Sequence, residues 1–132
     1  MRALDTNVLI RFLVNDDKAQ GKKARDLLET AEKKGEAFLL PILVLMETIW
    51  VLDSVYGYSR NEIIRAIELI SQMGVISMDN ADTVTKFIDF AKTTKVPLHD
   101  LLIGTSAEDK GCEATITFDI KASKSHLFHL LR

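Results

Sequence analysis

Four acidic side chains in this sequence stand where they can do chemistry. Asp5 closes the apolar segment at Ala3 and Leu4. Glu47 interrupts the apolar run "ILVLMETIWVL". Asp100 lies early in "PLHDLLIG", and Asp119 closes "EATITF". Carboxylates gathered at one place repel one another, and some then hold protons. A divalent cation removes that repulsion. Mg²⁺ and Mn²⁺ are hard ions that take oxygen ligands and keep several waters. The same ions polarise phosphodiesters and lower the pKa of bound water. An all-carboxylate set therefore points to phosphoryl chemistry rather than to zinc. The histidines, His99, His126 and His129, show no ligand spacing with the single cysteine, Cys112, and are read as structural or surface residues.

Taken singly, three of the acids have plainer explanations. Asp5 suits a helix N-cap. Asp100, soon after Pro97, complements the dipole at a helix start. Asp119 after a strand is an ordinary turn residue. Glu47 is harder to explain away. Its neighbours at helical spacing are Leu43, Val44, Trp50 and Val51, all apolar, where a solvated face would show polar residues. Burying an ionised carboxylate is costly unless it is paired or neutralised. The alternatives to a metal role are a partly exposed helix edge and a core carboxylate paired with a base.

The elements that must position these acids can be read from the pattern. "AL" before Asp5, "AFLL", "GVISM" and "EATITF" are short apolar strands. Between them lie helical segments: "DTNVLIRFLV", "DDKAQGKKARDLLETAEKKG" with Gly35 as its stop, and Ile42 to about Val55 after Pro41. "SRNEIIRAIELISQ" has Ser59 and Glu62 at capping-box spacing. "NADTVTKFIDFAKTT" and "PLHDLLIGTSAEDKG" follow, the latter stopped by Gly111. The tail "KSHLFHLL" fits a strand or a short helix. Strands alternating with helices predict an α/β fold, with a parallel sheet covered by helices on both faces. Sites in such sheets assemble at the C-terminal ends of strands, where Asp5 and Asp119 fall.

The totals set bounds. A chain of 132 residues is read as one domain, residues 1–132, with 47% hydrophobic and 27% charged residues and a formal net charge of −2. That balance argues against holding nucleic acid by bulk positive charge. One cysteine forms no internal disulfide, consistent with a reducing compartment. No signal peptide is recognised at the N-terminus. The apolar run from Phe38 to Leu52 falls short of the about 20 residues a membrane span needs. A cytoplasmic protein is expected.

Together, "ALDTNVLIRFLV", the acid in "LMETIWVL", "LHDLLIGTSAEDKGC" and the late "TITFD" resemble the PIN-domain family, and in particular the toxin ribonucleases of VapBC-type toxin–antitoxin systems. The resemblance covers nearly the whole chain in the family's order. It implies a three-layer α/β/α sandwich around a central parallel sheet, with Mg²⁺- or Mn²⁺-dependent cleavage of RNA. It also implies a homodimer and a small antitoxin protein encoded alongside. Residue by residue, the family's acids fall on Asp5, Glu47, Asp100 and Asp119, and its supporting polar positions on Asn7 and Thr117. Asp5, Glu47 and Asp100 are expected to hold one ion, with Asp119 completing the pocket. Glu47 is expected to orient or deprotonate the attacking water, its burial raising its pKa and the metal lowering it. Two positions depart from the pattern. His99 precedes Asp100, and "DIKASKSH" offers lysines where the family commonly has a further acid.

A nuclease must also meet the charge of its substrate. Lys121 and Lys124, after Asp119, and Arg11 are the candidates for contacting RNA phosphate. Trp50, Tyr56 and Tyr58 are read as core aromatics, with an interface to a second subunit or an antitoxin segment as the alternative. Two rival functions remain open at this level. One is an acidic-pocket phosphatase or phospho-acceptor domain, although "LDTNV" lacks the second aspartate of a phosphatase loop. The other is a non-catalytic PIN-like scaffold binding RNA or protein.

Overall fold

The computed structural model describes all residues, Met1–Arg132. The chain divides into two compact units, residues 1–79 and 80–132.

The first unit runs β1 (Arg2–Ala3), α1 (Thr6–Val14), α2 (Lys18–Lys34), β2 (Phe38–Leu40), α3 (Ile42–Ser54), α4 (Arg60–Ser71) and β3 (Ile76–Met78). Its sheet has the order β1-β2-β3, both pairs parallel, with Ala3 opposite Leu39 and Leu39 opposite Ser77. Parallel neighbours cannot be joined by a tight turn, so a helix pair crosses over between each strand and the next. The central strand is apolar throughout, with Phe38 and Leu40 buried. Leu9, Leu28, Leu45, Leu52, Ile67 and Ile70 pack the same core.

Local chemistry sets the helix ends. Asp5 caps α1, its Oδ1 accepting from the Thr6 N–H at 2.8 Å. Asp17 caps α2 by accepting from the Gln20 N–H, and Gly35 ends that helix in the left-handed region at φ +68°. The capping box at Ser59 and Glu62 is present in both directions, and its hydrogen bonds hold the Glu62 carboxyl below the usual carboxylate range. Helix α3 differs. Pro41 at its N-cap has no capping side chain, so Asp79, just past β3, accepts from the Ile42 N–H at 3.2 Å.

The second unit holds α5 (Ala81–Thr93), α6 (Leu98–Asp109), β4 (Thr115–Thr117), a 3-10 turn at Ala122–Lys124 and β5 (Phe128–Leu130). β4 and β5 pair in parallel, Thr115 opposite Phe128. The tail, ambiguous in sequence, supplies both the turn and the second strand of this ladder. At the end of α6, Asp109 accepts from Thr83 Oγ1 and, at 2.8 Å, from Lys86 Nζ, tying α6 to the first turns of α5. Gly104 brings α6 against β5. A Cβ there would lie 2.6 Å from the Phe128 ring. The hydrogen-bonded ladders are thus all parallel, and the class is α/β, as the alternation predicts. No helix is long and apolar enough to cross a membrane.

Candidate active site

The first unit brings Asp5 and Glu47 to one cleft of about 280 Å³, with Asn7, Arg11, Val51 and Tyr56 among its lining residues. The sequence explains this placement. β1 stops at Ala3, so Asp5 falls at its C-terminal end and starts α1, and Asn7 follows within the first turn. β2 stops at Leu40, and Glu47 rides on the helix that begins directly afterwards. Helices that start beside each other on neighbouring parallel strands carry their first turns to the same edge of the sheet.

The Glu47 helix departs from expectation. Its buried positions are Leu45, Thr48, Ile49 and Leu52, whereas Glu47 is exposed. Of the apolar residues on its stripe, Leu43 is 79% and Trp50 59% exposed, while Val44 and Val51 are half-buried. The stripe that suggested a core therefore turns its Leu43, Glu47 and Trp50 side outward, and the partly exposed helix edge is the arrangement found. The expected burial of this carboxylate is not found, and it makes no hydrogen bond or ion pair within the protein. An apolar segment hides the difference between its two faces, because the run Ile42–Leu52 has almost no polar residue to mark the outer one.

Arg11, on the wall of the same cleft, belongs to a hydrogen-bonded network. It pairs with Asp16 at 3.4 Å, while Tyr56 donates to the same carboxylate at 2.8 Å. Tyr56 is thus a polar partner rather than a core aromatic. Asp16 is unmarked in sequence, and nothing there links it to Tyr56, 40 positions away. Asp79 was also missed, although it follows a strand as Asp5 and Asp119 do. Its carboxylate is engaged in capping α3.

Asp100 and Asp119 belong to the second unit. Asp100 lies in the first turn of α6, its side chain 18% exposed, with His99 Nε2 at 3.3 Å from its Oδ1. His99 therefore pairs with the acid beside it when protonated. Asp119 is exposed and caps the turn that follows, its Oδ1 accepting from the Lys121 N–H at 2.8 Å and the Ala122 N–H at 3.3 Å. Thr117 Oγ1 accepts from the Asp119 N–H at 3.0 Å, which fixes the backbone that presents this acid. Lys121 and Lys124 line a groove of about 390 Å³ together with Lys95, and no carboxylate borders it. His126 pairs with Glu108 at 3.3 Å and stacks edge-on to Phe90, a structural role.

Within neither unit do three or more His, Cys, Asp or Glu side chains gather into a metal-holding group. The Asp5–Glu47 pair nonetheless suits a hard divalent ion. Both donors are carboxylate oxygens, both are exposed, and Glu47 has no cation of its own within the protein. Mg²⁺ is commonly held by one or two carboxylates, with waters and substrate phosphate completing its shell.

Comparison with known proteins identifies a family for the chain. A model of the PIN domain family matches residues 2–125. The chain is also similar to a VapC ribonuclease of Aquifex aeolicus (strain VF5), with 23% identity over 124 residues, covering 94% of this chain and 91% of that protein. No solved structure matches it.

Proposed function

Because this chain belongs to the PIN domain family, we propose that it is a metal-dependent endoribonuclease, the toxin of a toxin–antitoxin pair, acting as one domain over residues 1–132. The observation that carries this function is the shared cleft of Asp5 and Glu47, flanked by Asn7 and Arg11. The similarity to a VapC ribonuclease supports RNA as the substrate. The acids expected to act, Asp5, Glu47, Asp100 and Asp119, are all present. Asp100 and Asp119 are assigned to the same reaction by the order of the acids along the chain.

Asp5 and Glu47 would hold Mg²⁺ or Mn²⁺, with Asp100 and Asp119 as further carboxylates of the set. Such an ion lowers the pKa of bound water and stabilises charge on phosphate oxygens. The protein's own residues do the rest. Glu47, solvated and without an internal partner, orients the attacking water and accepts its proton. Asp5 is held at the mouth of α1 by its bond to the Thr6 N–H, so its second oxygen stays available. Asn7 sits within reach of the cleft as a neutral hydrogen-bonding group. Thr117 fixes the approach of Asp119. The Lys95, Lys121 and Lys124 groove, free of carboxylates, contacts the RNA backbone. Single-stranded or looped RNA is the substrate of choice, since its bases and 2′-OH groups are accessible.

A small antitoxin encoded alongside neutralises the enzyme, and the toxin works in the cytoplasm as a homodimer. The outward stripe of α3 with Leu43 and Trp50 is the surface assigned to the second copy.

The test is cleavage of single-stranded and structured RNA by the purified protein with Mg²⁺ or Mn²⁺, beside EDTA and the Asp5→Asn variant. Activity lost in both controls is the expected result. Cleavage that survives either one sinks the metal-nuclease mechanism. Covalent phosphorylation at Asp5 points to a phospho-acceptor domain, and inertness toward every RNA points to a scaffold.

A further inference from the structure

Arg11 is held by three separate segments of the first unit. Its Nε donates to Gln20 Oε1 on α2 at 2.7 Å. Its Nη1 donates to Asp16 Oδ1 in the α1–α2 loop at 3.4 Å and to the Tyr56 hydroxyl, beyond the end of α3, at 3.3 Å. The Tyr56 proton goes to Asp16 Oδ2 at 2.8 Å, which leaves the phenol oxygen free to accept from the guanidinium. One proton arrangement thus satisfies the whole network. Its effect on Arg11 is to raise the guanidinium pKa, chiefly through the Tyr56 hydrogen bond, with Asp16 adding to it.

A guanidinium carries five N–H donors in a rigid fork. Here Nε and Nη1 are engaged, whereas Nη2 makes no hydrogen bond within the protein. The side chain is 29% exposed, so it is restrained without being sealed off. It lines the cleft that also holds Asp5 and Glu47. A long cationic side chain on open surface loses rotamer entropy when it grips a ligand. This one has largely lost that freedom on folding, and its remaining donors are the chemistry that recognises a phosphate oxygen.

We propose that Arg11 is the phosphate clasp of the Asp5–Glu47 cleft, binding a phosphate of the RNA strand, and that Tyr56 and Asp16 are positioning residues that hold it there. This rests on the nuclease function and deepens it. Arg11 supplies at the cleft the positive charge that the net charge of −2 denies the chain as a whole. Asp16 does not cancel the role. It takes one edge of the guanidinium and leaves the other for substrate.

The experiment measures binding separately from cleavage. A short fluorescein-labelled single-stranded RNA of random sequence is titrated with wild type, Arg11→Gln, Arg11→Lys and Tyr56→Phe by fluorescence anisotropy. Ca²⁺ replaces Mg²⁺, intact RNA is confirmed on a gel, and the titrations are repeated across a salt series. Arg11→Gln is expected to weaken binding about tenfold, the scale of one charge-assisted hydrogen bond. It should also make the slope of log K against log salt shallower by about 0.7, the share of one single-strand phosphate. Arg11→Lys should keep the wild-type slope and recover only part of the affinity. Tyr56→Phe should weaken binding with the slope unchanged. If Arg11→Gln leaves affinity and slope as in wild type while the melting temperature falls, Arg11 is a strut between loops and the clasp is wrong. A wild type that cleaves RNA while Arg11→Gln binds normally overturns the clasp alone. A wild type that neither binds nor cleaves RNA overturns the nuclease function and the clasp with it.

Discussion

Glu47 is exposed, and it makes no bond inside the protein, so its carboxylate contributes nothing measurable to the fold. Glu47→Gln is therefore expected to melt with the wild type, as surface substitutions away from special features do. Its RNA cleavage should fall by about 100-fold or more, the scale of removing a positioned general base. Parallel thermal melts and cleavage assays check both halves, and a variant that unfolds instead would return Glu47 to a structural role. The acids themselves were legible in sequence because their types and their positions at strand ends and helix starts carry a chemical meaning. Asp16, Gln20 and Tyr56 were not. Asp16 and Gln20 are ordinary surface residues by type, Tyr56 reads as a core aromatic, and only the fold brings them to one guanidinium.

At the scale of elements, capping residues and glycines made the boundaries readable. Asp5, Gly35, Ser59 and Glu62 all act where the sequence placed them. What periodicity could not settle was the orientation of α3, whose outward face carries leucine and tryptophan where polar residues usually stand. Helix α6 tests the packing. A methyl group at Gly104 meets the Phe128 ring and the Leu127 side chain. Overpacking costs about 1–3 kcal/mol, and the helix preference for alanine returns about 1 kcal/mol. Gly104→Ala should thus lower the melting temperature by a few degrees in a calorimetric scan. Lys86 and Asp109 join α5 to α6, and the sign of their pH dependence follows from both shifts. The hydrogen bonds of Lys86 and Thr83 depress the Asp109 pKa, so the carboxylate stabilises the fold above its unfolded value, about 3.9, and that contribution is lost as pH falls through the folded one. Asp109 raises the Lys86 pKa, so the ammonium contributes below its unfolded value, about 10.4, and fades as pH rises through the folded one. Wild type should therefore melt above Lys86→Met at neutral pH, and the gap should close as the buffer is taken below about pH 4. A constant gap down to pH 3 would show that the ion pair is not its source.

For the molecule as a whole, the proposed homodimer is the property most open to direct measurement. Leu43 and Trp50 stand on the outside of α3, and large exposed apolar side chains on one stripe favour burial against a partner. Trp50→Glu should leave the melt of the single chain near that of wild type. It should shift sedimentation from dimer toward monomer by tenfold or more in the dissociation constant, a loss of the size found at interface hot spots. A wild type that sediments as a monomer would remove this surface from the account. One further property follows from the way α3 begins. Its first N–H is accepted by Asp79, which lies 37 residues later in the chain. A nascent chain still lacking residue 79 holds Glu47 on a helix whose opening turn is unfinished. The same chain also lacks Asp100 and Asp119. Under the proposed function, the order of synthesis then delays the enzyme: the proposed set of four acids is complete only once residue 119 has been made.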